Sequence, residues 1–277
     1  MPYKRILTVQ DISCLGQCSI TVALPVLSAC GHETCIIPSA VLSTHTGGSF
    51  SGYTFRDLTE DIPAIRSHWQ QQGYSFDAVY TGYLGSIKQA GYVRDIFHSL
   101  LRPNGKIIVD PAMGDNGRLY AGLDEEYSAA IAGLCSGADV ILPNITEACF
   151  MTGLAYREQY DEGYINELIS RLFALGAKNV ILTGVSYEPE NTGVVACSSG
   201  EARYYKHRRI PQMFHGTGDV YASAFAGIWL QGKDLFEAAK IAADFTVSSI
   251  GHTLDDPEHW YGVKFEMALP ELIQALK

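Results

Sequence analysis

The sequence predicts an α/β fold: a central, mostly parallel sheet with helices on both faces and a small hairpin at its edge. Three observations predict it. Apolar strand-like runs alternate with helix-periodic runs from residue 5 to residue 183, the order that builds parallel sheets through helical crossovers. After Gly184 the alternation gives way to two short strand-like runs joined by Ser198, Ser199 and Gly200, which reads as a β-hairpin on the sheet's edge. Polar, glycine-bearing segments follow the strands, where open α/β sheets collect ligands.

Taken in order, a strand over 5–9 leads to a helix over 17–30, and a strand over 34–38 leads to a helix over 58–72. The strand at 78–81 precedes a helix at 86–101, and the strand at 106–110 precedes one at 125–135. A strand at 140–143 runs into a helix at 146–151; a helix at 162–175 then returns to a strand at 179–183. The hairpin occupies 192–197 and 201–206, and helices at 220–230, 235–250 and 266–276 close the chain. No internal repeat or linker divides these elements, so residues 1–277 are expected to form one domain.

Composition narrows the function. The chain is 47% hydrophobic and carries a net charge of −10, which suits a globular enzyme and argues against a nucleic-acid binder with a broad basic face. Its one basic cluster, Lys206, His207, Arg208 and Arg209, reads as a solvated strand end, with a role near phosphates left open. Seven cysteines form no C-x-x-C pair and are odd in number, a pattern of reduced core thiols rather than a zinc site or a disulfide framework. With no signal-peptide pattern and no membrane-length apolar run, the expected compartment is the cytoplasm.

The segment from His215 to Gly227, HGTGDVYASAFAG, carries the chemistry. Gly216 and Gly218 permit positive φ and close approach of a ligand to the backbone. The apolar run beyond them makes a helix whose first N–H groups and positive dipole end would face an anion. Asp219 then sits where a base would meet an attacking alcohol, which together suggests phosphoryl transfer to a hydroxyl. Asp219 could equally be the N-cap of a helix starting at Val220.

Five other strand ends supply partners. Gln10-Asp11-Ile12-Ser13, Ser43 to Gly48 and Thr81 to Ser86 bring hydroxyls, an imidazole and a phenol, suited to a small polar or aromatic ligand. Asp110 to Tyr120 offers two carboxylates, and Gly114 and Gly117 suggest a mobile loop that could cover a nucleotide. In Pro143 to Glu147, Glu147 reads either as a first-turn cap or as a Mg²⁺ ligand acting partly through water. No G-x-x-x-x-G-K-[ST] loop and no G-x-G-x-x-G follows a strand, which leaves phosphate to the backbone at Gly216 to Asp219 and a metal.

With GTGD at 216–219, DPAMGD at 110–115 and PN-x-x-E at 143–147, the chain resembles the ribokinase-like superfamily of small-molecule kinases. Within it, Asp11-Ile-Ser13, Ser-Thr-His45-Thr46-Gly and Thr-Gly-Tyr83-Leu-Gly-Ser resemble the pyridoxal (vitamin B6) kinases. The resemblance implies a ribokinase-like three-layer sandwich and ATP-dependent phosphorylation of the 5′-hydroxymethyl group of pyridoxal, pyridoxine or pyridoxamine. It implies Asp219 as base and Gly216, Thr217 and Gly218 as anion hole. Ser13, His45, Thr46 and Tyr83 would meet the vitamin. Asp115, Tyr120, Asn144, Thr183, Gly184 and Thr217 would serve ATP, with Asp115 and Glu147 on Mg²⁺ and Asp110 and Thr183 on K⁺ or Na⁺. It further implies a homodimer. The alternatives are a hydroxymethylpyrimidine (phosphate) kinase of thiamine synthesis, which His215 resembles, and a B6-vitamer binding protein without turnover.

Overall fold

A computed structural model describes residues 2–47 and 49–277; Gly48, in the second polar cluster, lies outside them. Strands β1 (Arg5–Ser13), β2 (Glu33–Leu42), β3 (Phe55–Asp57), β4 (Phe76–Thr81), β5 (Leu101–Val109), β8 (Val140–Ile141), β9 (Asn179–Val185), β10 (Asn191–Ser198) and β11 (Glu201–Arg208) form one sheet. Its order is β11-β10-β9-β8-β5-β4-β1-β2-β3. Pairing is parallel from β2 to β9, while β3 at one edge and the β10–β11 hairpin at the other are antiparallel. A two-residue pair, β6 (Gly114–Asp115) and β7 (Arg118–Leu119), stands apart.

Period-two alternation along the strands feeds two cores, one on each face. Leu7, Val9, Val79 and Val109 face α2 (Asp61–Gln71), α3 (Ile87–Ser99), α4 (Glu125–Cys135), α5 (Ile145–Thr152) and α6 (Glu162–Ala174). Ile6, Ala78, Tyr80 and Ile108 face α1 (Ile20–Ala29), α7 (Thr217–Leu230), α8 (Leu235–Gly251) and α9 (Phe265–Ala275). The result is three layers. The chain moves outward from β1 to β2 and then returns across β1 to β4, a reversal of winding that marks where such sheets bind ligands at their carboxyl ends.

The expected elements are present, with three differences. β3 escapes a sequence reading because it has only three residues, all exposed, and lies on the edge. The helix expected from Val220 begins at Thr217 instead, because the glycines around it are its first turn rather than a loop. The segment at 114–119 is a hairpin rather than an open loop. Asn144 Nδ2 donates to the Gly114 carbonyl at 2.8 Å, and the Gly117 N–H donates to Thr146 Oγ1 at 2.9 Å, which pin it to the start of α5. Among the described residues no helix is long and apolar enough to cross a membrane.

Candidate active site

Helix α7 begins with a bare amide turn. Gly216 precedes it with φ 74°, and no side chain caps it. A Cβ at Gly216 would stand 1.8 Å from the Gln17 carbonyl oxygen, so only glycine fits. The Val220 N–H donates to the Gly216 carbonyl at 3.0 Å and is the first amide inside the helix ladder. The N–H groups of Thr217, Gly218 and Asp219 precede that ladder and are available to an anion. Asp219 lies in the first turn, not at the N-cap. A Cβ at Gly218 would meet nothing within 4 Å, which leaves the approach to these amides open.

These groups border a cavity of about 710 Å³ at the carboxyl ends of the strands, within the size range of small-ligand sites. Asp110, Asp115, Tyr120, Asn144, Glu147, Thr183, Gly184, His215, Gly216, Thr217, Gly218 and Asp219 all line it. Sequence reasoning missed one wall, made of Ala243, Thr246, Val247 and Ile250 of α8. Their spacing puts them on one helix face, and the small and branched side chains there read as core. Of the basic cluster, His207 lines this cavity and Arg209 an adjoining cleft of about 290 Å³, while Lys206 pairs with Glu188 at 3.1 Å.

Among the described residues none of the acids of the cavity forms an ion pair. Burial pushes Asp219 up to about 7, against the opposing pull of the Ser19 backbone amide. Burial and then the charges of Glu147 and Asp219 raise Asp110 well above the ordinary range. Glu147 is pushed up to about 7 by burial, although backbone amides pull it down. Glu147 serves structure as well: with Asn144 it forms a capping box at α5, and its Oε1 accepts the Met113 N–H at 3.1 Å. Asp115 accepts from the Asn116 backbone N–H at 2.8 Å and from its side-chain amide at 3.1 Å. Burial also raises the Tyr120 hydroxyl.

Ser13, His45, Thr46 and Tyr83 do not line this cavity; Ser13 is tied to Ser19 through Asp11. Ser19 Oγ donates to Asp11 Oδ1 at 2.6 Å and Ser13 Oγ to Asp11 Oδ2 at 3.0 Å. The half-buried Tyr83 has its hydroxyl raised by burial and then by the Asp11 charge. His45 Nδ1 accepts the Gly47 N–H at 3.1 Å, so Nε2 carries the ring proton and donates to the Tyr261 carbonyl at 2.9 Å. Burial lowers its pKa, which keeps it neutral. The His45 ring lies 4.9 Å from that of His215, which joins this pocket to the cavity. Thr46 is exposed.

The family model described as "Phosphomethylpyrimidine kinase" matches residues 52–262, more than half of the chain. The chain belongs to this kinase family. Its relatives within the ribokinase-like superfamily include pyridoxal kinases. A solved structure from Bacteroides thetaiotaomicron, described as a phosphomethylpyrimidine kinase and crystallised with pyridoxal, is 36% identical. It covers 97% of this chain and 95% of its own, with a TM-score of 0.91. The pyridoxal kinase of Lactobacillus plantarum is 30% identical, covers 98% and 97% of the two chains, and has a TM-score of 0.90. The pyridoxine/pyridoxal/pyridoxamine kinase of Bordetella avium is 26% identical over 90% of this chain and 85% of its own. The three-layer architecture expected from the sequence is that of these kinase structures.

Proposed function

We propose that this family member is a pyridoxal kinase, transferring the γ-phosphoryl group of ATP to the 5′-hydroxymethyl group of pyridoxal, pyridoxine or pyridoxamine. One observation carries the proposal: the bare amides of Thr217, Gly218 and Asp219 and the Asp219 carboxylate share one cavity wall. An anion and an alcohol would therefore meet at one point. Asp219 takes the hydroxyl proton, the oxygen bonds to the γ-phosphorus, and the bond from that phosphorus to ADP breaks. Because such transition states are loose, positioning and charge stabilisation do most of the work. Pyridoxal in a structure 36% identical to this chain favours a B6 vitamer over hydroxymethylpyrimidine.

The remaining assignments follow the same geometry. Asp115, Tyr120, Asn144, Thr183 and Gly184, facing the apolar wall of α8, suit ATP. Tyr83, His45, Thr46 and Ser13 serve the vitamin, Ser13 through Asp11. Among the described residues no three His, Cys, Asp or Glu side chains gather around one point to chelate an ion. Mg²⁺ fits nonetheless, because it takes one or two carboxylates plus phosphates and water. Asp115 and Glu147 would hold it, and Asp110 with Thr183 a K⁺ or Na⁺ ion; a cation there would offset the burial and the neighbouring acids that disfavour the ionised form of Asp110. When bound, Mg²⁺ supplies charge neutralisation at the phosphates.

Residues 1–277 act as one kinase domain. The free state of all seven cysteines suits the cytoplasm, and Tyr53 and Phe55, exposed at the β3 edge, suit a homodimer face. The test is turnover of pyridoxal by D219N and D219A with ATP and Mg²⁺. Loss of a general base predicts a fall of about 100-fold to 10,000-fold in kcat, with ATP affinity retained. Wild-type turnover in D219N would remove Asp219 from the role of base, and absence of turnover in the parent chain would favour a binding protein.

A further inference from the structure

Between α8 and α9 the chain runs as a strap over 252–264, outside any helix or strand, which the phosphoryl transfer does not use. It meets the site at two points. The first is His45, only 6% exposed, whose ring Nε2 donates to the Tyr261 carbonyl at 2.9 Å. The second is Gln17. His259 Nε2 donates to Gln17 Oε1 at 3.3 Å, and Gln17 Nε2 donates to Glu266 Oε1 of α9 at 2.7 Å. The Gln17 carbonyl is the group that faces Gly216 at the anion-binding turn. The strap therefore reaches both the turn that carries Thr46 and the start of α7.

His45 is fully engaged by the protein. Its second nitrogen, Nδ1, accepts the Gly47 N–H at 3.1 Å, so the ring closes its own turn around Thr46 and ties that turn to the strap. A neutral imidazole has one donor and one acceptor. Both are used, and no ring nitrogen is left for a ligand. The ring carbons are enclosed as well. A Cβ on Gly16 would strike His45 Cδ2, and one on Gly47 would lie 2.7 Å from Cε1 of His215. Phe50 stands edge-on to the His45 ring at 4.9 Å and leans on Trp260 of the strap at 4.6 Å, spacings at which aromatic rings attract one another.

We propose that His45 is a positioning residue rather than a hydrogen-bonding contact to the vitamin: it clamps the turn carrying Thr46 to the C-terminal strap, and Phe50 and Trp260 brace the clamp. This rests on the reading of the pocket as the vitamin's. Without the imidazole, the Gly47 N–H and the Tyr261 carbonyl lose their partners, and the turn is free to leave the place where Thr46 meets the vitamin. The start of α7 keeps its own support at Gln17, so the loss falls on the vitamin and not on ATP. Glutamine at 45 restores the bond to the strap, because its side-chain amide N–H reaches about as far as Nε2 does.

The test is steady-state kcat and KM, for pyridoxal and for ATP with Mg²⁺, of H45A, H45Q, W260A and H45A/W260A. It is joined to the nitrogen NMR spectrum of histidine-labelled protein, in which His45 is the signal missing from H45Q. Loss of a buried hydrogen bond predicts a KM for pyridoxal about tenfold higher in H45A, with KM for ATP unchanged, and H45Q is expected to recover most of that loss. W260A is expected to raise the same constant, and the double variant to raise it no further than H45A, because the two side chains act as one unit. In the spectrum His45 keeps its proton on Nε2 with and without saturating pyridoxal. Equal rises in KM for ATP and pyridoxal, no recovery in H45Q, or losses that multiply in the double variant would overturn the proposal. So would a change at either His45 nitrogen on adding pyridoxal, which would make His45 a direct contact. Should H45A fail to fold, H45Q, W260A and the parent spectrum decide the matter. Absence of pyridoxal turnover in the parent would instead overturn the vitamin reading, while the spectrum of the free protein still reports the clamp.

Discussion

Asp219 is held by opposing forces: enclosure favours its neutral form, and the Ser19 amide favours its charged form. Enclosure wins, which places the group at about 7 against 3.8 for an ordinary aspartate. A base must be ionised to accept a proton, so its activity is present above the raised pKa and lost below it. The expected kcat/KM for pyridoxal is level above pH about 7 and falls about tenfold for each pH unit below it. A profile that stays flat down to pH 5.5 would argue against proton transfer to this group. Asp219 itself is legible from its neighbours in the sequence, since a carboxylate after Gly-Thr-Gly at a helix start is a compact signal. Asp11 is not. A carboxylate after a strand reads as a turn residue, and its value depends on Ser19 being folded back onto it from eight residues away.

At the scale of the element, the first turn of α7 divides its glycines by function. At Gly216 a side chain would strike the Gln17 backbone, and φ is 74°, so G216A is expected to lose both stability and activity. At Gly218 a methyl group has open space, so G218A should melt with the parent protein yet turn over on the order of 100-fold more slowly, because the methyl intrudes on the anion site. Thermal unfolding and initial rates of the two variants check this; equal melting temperatures would contradict it. Most elements are visible in the sequence because periodicity and caps agree, as at α4, where Asp124 accepts the Tyr127 N–H at 2.8 Å. The hairpin at 114–119 is not visible. Its order comes from Asn144 and Thr146, which belong to the next strand-to-helix junction. The α8 wall escapes for a different reason: Ala243, Thr246, Val247 and Ile250 look like any packed face until the cavity beside them is known.

Across the whole molecule, function is set against stability. Asp110, Glu147 and Asp219 all have pKa values raised by burial, so the folded chain holds protons that the unfolded chain releases. Between the ordinary carboxylate range near 4 and the raised value of about 7 for Asp219, stability therefore falls as pH rises. Replacing Asp219 by asparagine removes one buried charge. D219N is expected to melt higher than the parent at pH 8, by on the order of 3 °C, with the gap shrinking toward pH 5. A lower melting temperature at pH 8 would show that the carboxylate is satisfied in ways the cavity does not reveal. The central claim is which alcohol this site phosphorylates. The most direct test gives the purified protein ATP, Mg²⁺ and K⁺ with equal concentrations of pyridoxal, pyridoxine, pyridoxamine and hydroxymethylpyrimidine, and identifies the products by mass. The expected result is the 5′-phosphate of one or more B6 vitamers formed ahead of any pyrimidine phosphate; pyrimidine phosphate as the main product, or no vitamer phosphate at all, would contradict it.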